Sequence, residues 1–383
     1  MNDTLLDELQ QTLKSSGPNQ AIDRLCASLE DAKDYQSLFY ALLMKKRKEL
    51  GLSPIATGSN QDLPKEMHEP FEEAIRQSGR TVGQLYLRDG NIPAAFGYFQ
   101  MIGEPEPIRA ALEELTLPEG ADCQPLIEIA LHQQVHPRRG FDWLLERHGT
   151  CNAITTMSSD IPLAQDVRAY CVQKLIRTLH TELLARLKAE IVSKQGFEPT
   201  GKTIAELIEG RDWLFSDDYY HIDLSHLNAV TQMSINLEAC PELQLARDLC
   251  AYGKKLSPKF LYPSDPPFDK QYHDYDVYLG ILTGADVEGG VAYFRKKAEE
   301  ADPHEVGTFP AQVLVNLLLR LKRPQEALAA ARQFLAHVSN ERLSCPNLVE
   351  LCQQTGDYSV LAAVAREQGN PVNYLAALIG SQK

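Results

Sequence analysis

A run of apolar residues at every fourth position is the feature of this sequence that most restricts its fold. Between Asp166 and Ile191 these residues are Val167, Cys171, Leu175, Leu179, Leu183, Leu187 and Ile191. Residues four apart lie on one face of an α-helix, so the pattern predicts a long helix packed against other helices. The alternation typical of β-strands is scarce elsewhere, and the sequence therefore predicts an all-α protein.

Four segments share a second pattern, in which a helix is followed by a short turn and then by a helix that begins with small residues. They occupy residues 85–99, 279–294, 317–328 and 351–365. The small turn permits a sharp reversal of the chain, and the small residues let the two helices approach closely. The turns near residues 284, 323 and 356 are 39 and 33 residues apart. These spacings are close to the roughly 34-residue period of helix-pair repeats.

At these residues the chain resembles the tetratricopeptide repeat (TPR) family. The resemblance covers roughly residues 76–115 and 276–379, with a degenerate unit at 17–50, although no Trp opens any repeat. It implies an α-solenoid of antiparallel helix pairs with a concave binding face, and it implies nothing about catalysis. We therefore expect TPR-like repeats at 1–119 and 276–383. Residues 120–275 are expected to form an irregular helical central segment.

Composition restricts the possible partners and the location of the protein. The formal net charge is -14, which argues against binding to nucleic acid or to an anionic membrane surface. The first residues lack the basic and apolar regions of a signal peptide, and no apolar run approaches the roughly 20 residues of a membrane span. The eight cysteines are scattered and form no CxxC pair. These features predict a cytoplasmic protein with reduced thiols.

Residues 196–203, GFEPTGKT, match the P-loop pattern GxxxxGK[ST] letter for letter. A working P-loop needs a buried strand in front of it, so that the backbone amides of the glycine loop can hold phosphates. Here the preceding residues 186–195 continue the amphipathic helix instead. The simpler interpretation is that Gly196 ends this helix and that Thr200 or Thr203 caps a short helix at 204–208.

Histidine and tyrosine are concentrated in the central segment. Seven of the ten His lie between residues 132 and 273, and seven of the fifteen Tyr lie between 219 and 278. The repeat pattern is weakest in the same region. Because imidazole and phenol groups are common in binding and catalytic sites, this coincidence places the candidate functional site in the central segment.

Within it, residues 217–227 contain the densest group of side chains that bind metals. Asp223 or Ser225 is expected to cap a helix that runs to about Leu237, which places His226 in its first turn and His221 just before it. We predict His221 and His226 as ligands of a divalent transition metal. The candidate catalytic residues are Asp218, Tyr220 and Asp223. The alternative interpretation is a capped helix with His and Tyr at the surface.

Four further residues are candidates for ligand binding: His180, Tyr219, Tyr272 and His273. His180 lies beside the apolar stripe of the long helix, where a buried and hydrogen-bonded histidine is the alternative. Tyr272 and His273 close the proline-rich loop Ser257–Asp269, which we expect to be non-helical and which could act as a lid.

Two classes of function remain open on the sequence. The preferred hypothesis is a helical-repeat scaffold that binds a protein, peptide or small molecule through its groove and a His/Tyr-rich central pocket. The alternative is a metal-dependent enzyme of the hydrolase type with its site around His221 and His226. A P-loop nucleotide hydrolase is the least favoured, since it conflicts with an all-helical fold.

Overall fold

A computed structural model describes residues 3–55, 63–118, 120–159 and 161–382, and throughout these ranges the regular structure is helical, with no β-strand. The predicted all-α class is confirmed. No helix in the described ranges has both the length and the apolar character needed to cross a membrane. The chain divides into two compact units, of which the first contains Met1–Ala153 with Ile161–Val167 and the second contains Ile154–Asp160 with Arg168–Lys383.

The first unit is built from helices that pack against their neighbours in the chain. Its helices are α1 (Asp3–Ser16), α2 (Pro18–Asp31), α3 (Tyr35–Glu49), α4 (Lys65–Arg88), α5 (Ile92–Ile102), α6 (Glu106–Glu114) and α7 (Gln124–Ile127). Two further helices, α8 (Pro137–Ser158) and α9 (Gln165–Gln195), contribute residues to each of the two units.

The reversal between α4 and α5 shows how the sequence produces a helix pair. Gly90 takes a left-handed φ of 75°, and the Asn91 side chain caps α5 by accepting a hydrogen bond from the Ala94 N–H. Gly83 then permits the close approach, because a Cβ there would lie 2.6 Å from the Phe99 ring. The predicted helix, turn and helix at 85–99 are therefore confirmed. The small residue at this contact lies in the first helix, whereas the sequence placed small residues at the start of the second.

The second unit continues with helices that also pack mainly on their sequence neighbours. They are α10 (Ile204–Ile208), α11 (Leu224–Ser234), α12 (Glu242–Gly253), α13 (Tyr272–Leu282), α14 (Val287–Glu300), α15 (Phe309–Arg320), α16 (Pro324–Leu335), α17 (Leu348–Thr355), α18 (Ser359–Glu367) and α19 (Pro371–Gly380). The predicted turns at Gly284 and Gly356 both have left-handed backbones, with φ of 81° and 73°.

The P-loop-like segment has the structure of a helix end followed by a helix start. Gly196 follows α9 with φ 76°, and its N–H donates to the Val192 carbonyl over 2.8 Å. Thr203 caps α10 in a capping box with Glu206. These are the features of the simpler interpretation, and the 31-residue helix α9 stands where a P-loop requires a strand.

The proline-rich loop and its end differ in part from the prediction. Ser257–Asp269 is mostly irregular, as expected, with one short 3₁₀ turn at Pro258–Phe260. Tyr272 and His273, expected at the end of the loop, instead begin helix α13. Asp274, in the first turn of α13, accepts a hydrogen bond from the Lys270 N–H, which lies just before the helix.

Candidate functional site

His221 is buried and hydrogen-bonded on several sides, all within the second unit. Its backbone N–H donates to the Tyr252 hydroxyl over 2.8 Å, and its Nδ1 lies 3.0 Å from the same oxygen. Arg186 donates to the His221 carbonyl over 2.9 Å, and Glu190 Oε2 lies 2.9 Å from Nε2. These neighbours surround both ring nitrogens and both backbone polar groups, so the residue fixes the chain at this point.

Burial controls the electrostatics of this group. Burial has the largest effect on the pKa of His221 and lowers it. The Glu190 carboxylate raises this pKa and the Arg186 guanidinium lowers it, so that the net shift is downward. Burial likewise raises the pKa of Tyr252 to about 12. The neutral forms of both side chains are therefore favoured. A neutral imidazole that accepts the Tyr252 proton at Nδ1 carries its own proton on Nε2. Glu190 lies 2.9 Å from this nitrogen, but outside hydrogen-bond geometry, so the buried Nε2 makes no hydrogen bond to any described residue.

The predicted helix cap at Asp223 is confirmed. Its carboxylate accepts from the N–H groups of Ser225 and His226, over 2.8 and 3.3 Å. The hydrogen bond from the Ser225 hydroxyl, together with these two backbone bonds, lowers the pKa of Asp223. No three His, Cys, Asp or Glu side chains in the described part of the chain are placed to hold one metal ion. The metal site proposed for His221 and His226 gains no support from this arrangement and stays a prediction.

Tyr219 and Tyr220 are 55% and 46% exposed, and the Tyr219 ring meets the buried His221 ring edge-on with centroids 5.1 Å apart. They follow Asp217 and Asp218, whose left-handed φ angles of 54° and 59° turn the chain sharply. Aspartate tolerates this conformation better than most residues do. Asp218 pairs with Lys259 of the proline-rich loop, which lowers the pKa of its carboxyl. Two loops distant in sequence are thereby joined at the surface.

The same two loops share an exposed group of aromatic and apolar side chains. The Tyr220 ring meets Phe260 edge-on with centroids 5.4 Å apart. Leu261 and Tyr262 follow with exposures of 39% and 42%. We call this group the aromatic surface, and its members are Tyr219, Tyr220, Phe260, Leu261 and Tyr262. Large apolar side chains gathered at an exposed site are typical of surfaces that bind other molecules.

The buried Gln271 side chain holds the proline-rich loop at Tyr262. Gln271 is 1% exposed, and its side-chain amide donates to the Tyr262 carbonyl. The adjacent Tyr272 is also buried, and its ring fills the space left by Gly253, where a Cβ would lie 2.2 Å from the ring. Tyr272, predicted as a binding residue, therefore lies in the core, while His273 beside it is exposed.

A second buried group ties α9 to α10 and α12. His180, another predicted binding residue, is 8% exposed, and its Nε2 lies 2.7 Å from Asp248 Oδ2. Asp248 also accepts from the N–H groups of Ile204 and Ala205, over 2.7 and 2.8 Å. His180 and Asp248 therefore connect three helices.

Sequence reasoning missed several residues that shape this region. Glu190, Asp248 and Gln271 carry no local signal, because their partners lie 31, 68 and 9 residues away in the chain. Leu261 and Tyr262 did carry a signal, as an apolar pair inside a polar, proline-rich loop with no helical periodicity to bury it.

No family model, curated protein or solved structure matches this chain. The likeness to tetratricopeptide repeats consequently rests on the turns and small residues described above. What the protein does has to be inferred from the contacts and exposure of its own side chains.

Proposed function

We propose that this protein is a helical-repeat scaffold that binds a protein or peptide partner through the aromatic surface. One observation carries the proposal: two loops joined by the Asp218–Lys259 pair and by the Tyr220–Phe260 contact carry four large side chains, Tyr219, Tyr220, Leu261 and Tyr262, that are 39–55% exposed. Tyrosine is enriched among the residues that dominate binding energies, since it offers a large apolar ring and a hydroxyl that can bond a partner.

The support beneath these loops strengthens the proposal. His221 is held by Tyr252 and Arg186, and the Tyr262 carbonyl is held by Gln271. A surface that is already ordered loses less conformational entropy when a partner binds. In this proposal the histidine at position 221 has a structural role, because it fixes the residues next to Tyr219 and Tyr220.

The chemistry of the surface indicates the kind of partner. Lys259 is engaged by Asp218, and Lys255 by Asp212 over 3.0 Å, so these two nearby lysines are already paired. A partner segment with an apolar side chain and backbone carbonyls fits better than a strongly charged one. The TPR-like solenoid and the cytoplasmic location are parts of the same proposal, supported by the packing of successive helices and by the scattered cysteines.

A selection from a random 12-residue peptide library on the immobilised full chain tests the proposal. Selected peptides are titrated against the parent protein and the double variant Tyr220→Ser, Tyr262→Ser. We expect at least tenfold weaker binding, equivalent to about 1.4 kcal/mol, because both rings would contact the peptide. Circular dichroism should show unchanged melting, since both side chains are exposed.

Tyr40→Ser provides the matched control, since Tyr40 is 64% exposed and lies in the first unit. Its affinity for the same peptides should equal that of the parent. Equal affinities for the parent and the double variant would overturn the proposal. A selection that yields no binding peptide would also count against it.

A further inference from the structure

The first three helices enclose an open groove within the first unit. α1 and α3 each pack on α2, and the groove that these helices line has a volume of about 520 Å³. From α2 it is lined by Pro18, Ala21, Ile22 and Leu25. The volume lies within the roughly 300–1,000 Å³ that is typical of sites for small molecules. We call this space the N-terminal groove.

The side chains around the N-terminal groove are almost all apolar. Of the eleven described residues that line it, nine are apolar, and the two polar ones are Gln10 and Lys48. Leu13 of α1, one of the nine, is 51% exposed. Because apolar surface of this kind leaves water when an apolar ligand fills the groove, such a ligand gains free energy on binding.

Lys48 differs from the three basic residues that precede it in the chain. Lys45 and Lys46 form ion pairs of 2.7 and 3.3 Å with acidic side chains, and Arg47 donates to a backbone carbonyl over 2.6 Å. In the described ranges of the chain Lys48 has no such partner. Its ammonium group is therefore free to pair with an anion that enters the groove.

This positive charge lies at one end of the N-terminal groove. Only residues 32–34 connect α2 to α3, so the two helices run antiparallel, as helices joined by short loops do. The end of α3 therefore lies toward the start of α2. Lys48, one residue before the end of α3, lies toward Pro18 and away from Leu25. The groove thus has one cationic end, and the rest of it is apolar.

We propose that the N-terminal groove binds a free long-chain carboxylate of the fatty-acid type, with the alkyl chain along α2 and the carboxylate at Lys48. A ligand with one anion at the end of an apolar chain is complementary to a groove with one cation at its end. A peptide would bring several backbone N–H and C=O groups, for which the described lining side chains offer only Gln10 and Lys48.

Isothermal titration calorimetry of the full chain with dodecanoate, below its micelle concentration, tests this inference. We expect binding in the micromolar range that is about tenfold weaker for decanoate, because two fewer methylene groups leave water. Dodecyltrimethylammonium has the same alkyl chain and the opposite charge. It should bind at least tenfold more weakly than dodecanoate, since its cation would lie beside Lys48.

Two substitutions with matched controls locate the ligand. Ala21→Phe fills the groove and should weaken dodecanoate binding at least tenfold, whereas Ala27→Phe, at an exposed position of the same helix, should not. Lys48→Met removes the charge but keeps an apolar side chain, and should abolish the preference for dodecanoate over dodecyltrimethylammonium. Lys14→Met should keep this preference, since Lys14 is also exposed but is outside the described lining of the groove.

The contrary outcomes are equally specific. The inference is wrong if dodecanoate does not bind, or if the parent binds the carboxylate and the ammonium compound equally. Dodecanoate binding that is unchanged in a folded Ala21→Phe variant would also overturn it. Library peptides that bind the parent but not Ala21→Phe would show a peptide site in the groove instead. The aromatic surface belongs to the second unit, so either proposal can fail without the other.

Discussion

Replacing Asp274 by Ala should lower the free energy of unfolding by about 3–5 kcal/mol, toward the lower end of that range. Asp274 is 0% exposed and accepts from the Lys270 N–H and the Tyr293 hydroxyl, each over 2.7 Å. Lys297 lies 2.8 Å from the same carboxylate. Alanine would leave these three donors short of a partner inside the protein. We expect a cost toward the lower end of this range because Lys297 also pairs with Asp269, 2.5 Å away, and would keep that partner.

Urea unfolding followed by circular dichroism measures this effect. Asp269→Ala is the control, since its side chain is 41% exposed and contacts the same lysine. It should cost under about 1 kcal/mol, as exposed ion pairs do. Equal losses in the two variants would show that the buried hydrogen bonds of Asp274 are not what stabilises this region.

The same substitution should also weaken peptide binding at the aromatic surface. The Lys270 N–H that Asp274 holds immediately precedes Gln271, whose side chain fixes the Tyr262 carbonyl. Gln271 itself has a left-handed φ of 42°, a conformation that persists only where surrounding contacts impose it. Loss of the Asp274 carboxylate therefore frees the loop that carries Leu261 and Tyr262, although neither Leu261 nor Tyr262 touches Asp274.

The parts of this fold that could be predicted are those set by residues close together in the chain. The stripe at 167–191 produced α9, and of the two candidates predicted for each helix cap, Asp223 and Thr203 are the residues that cap α11 and α10. A side chain three residues from a backbone N–H has few alternative partners, so these signals survive tertiary packing. The path that the successive helices follow in space is not determined by such local signals.

Burial could not be predicted for the tyrosines of the central segment, and this is where the candidate site depends on the structure. Tyr220 and Tyr272 both lie in polar, turn-rich sequence, yet one is 46% exposed and the other 2%. The difference comes from Gly253, which leaves room for the Tyr272 ring. Which helix packs against the Tyr272 ring depends on contacts between segments distant in sequence, and hydrophobic periodicity carries no information about such contacts.

The second large effect is expected at Asp248, whose contribution to stability depends on pH. Burial raises the pKa of its carboxyl, but hydrogen bonds from His180 and from the N–H groups of Ala205 and Ile204 lower it, and the net shift is downward. A carboxyl whose pKa is lower in the folded state stabilises the fold above its unfolded value of about 3.9. That contribution is lost as the pH falls from about 4 through the folded value.

Asp248→Asn should therefore cost about 2–3 kcal/mol at pH 7, because the amide cannot accept three charge-assisted bonds. The difference in the free energy of unfolding between parent and variant should decrease steadily below pH 4, where the Asp248 carboxylate of the parent takes up a proton. Urea unfolding at a series of pH values from 7 to 2.5 measures both. Asp212→Asn is the control, since the Asp212 side chain is 84% exposed, and it should match the parent at every pH. A cost for Asp248→Asn that stayed constant from pH 7 to 2.5 would mean that the negative charge does not hold α9, α10 and α12 together.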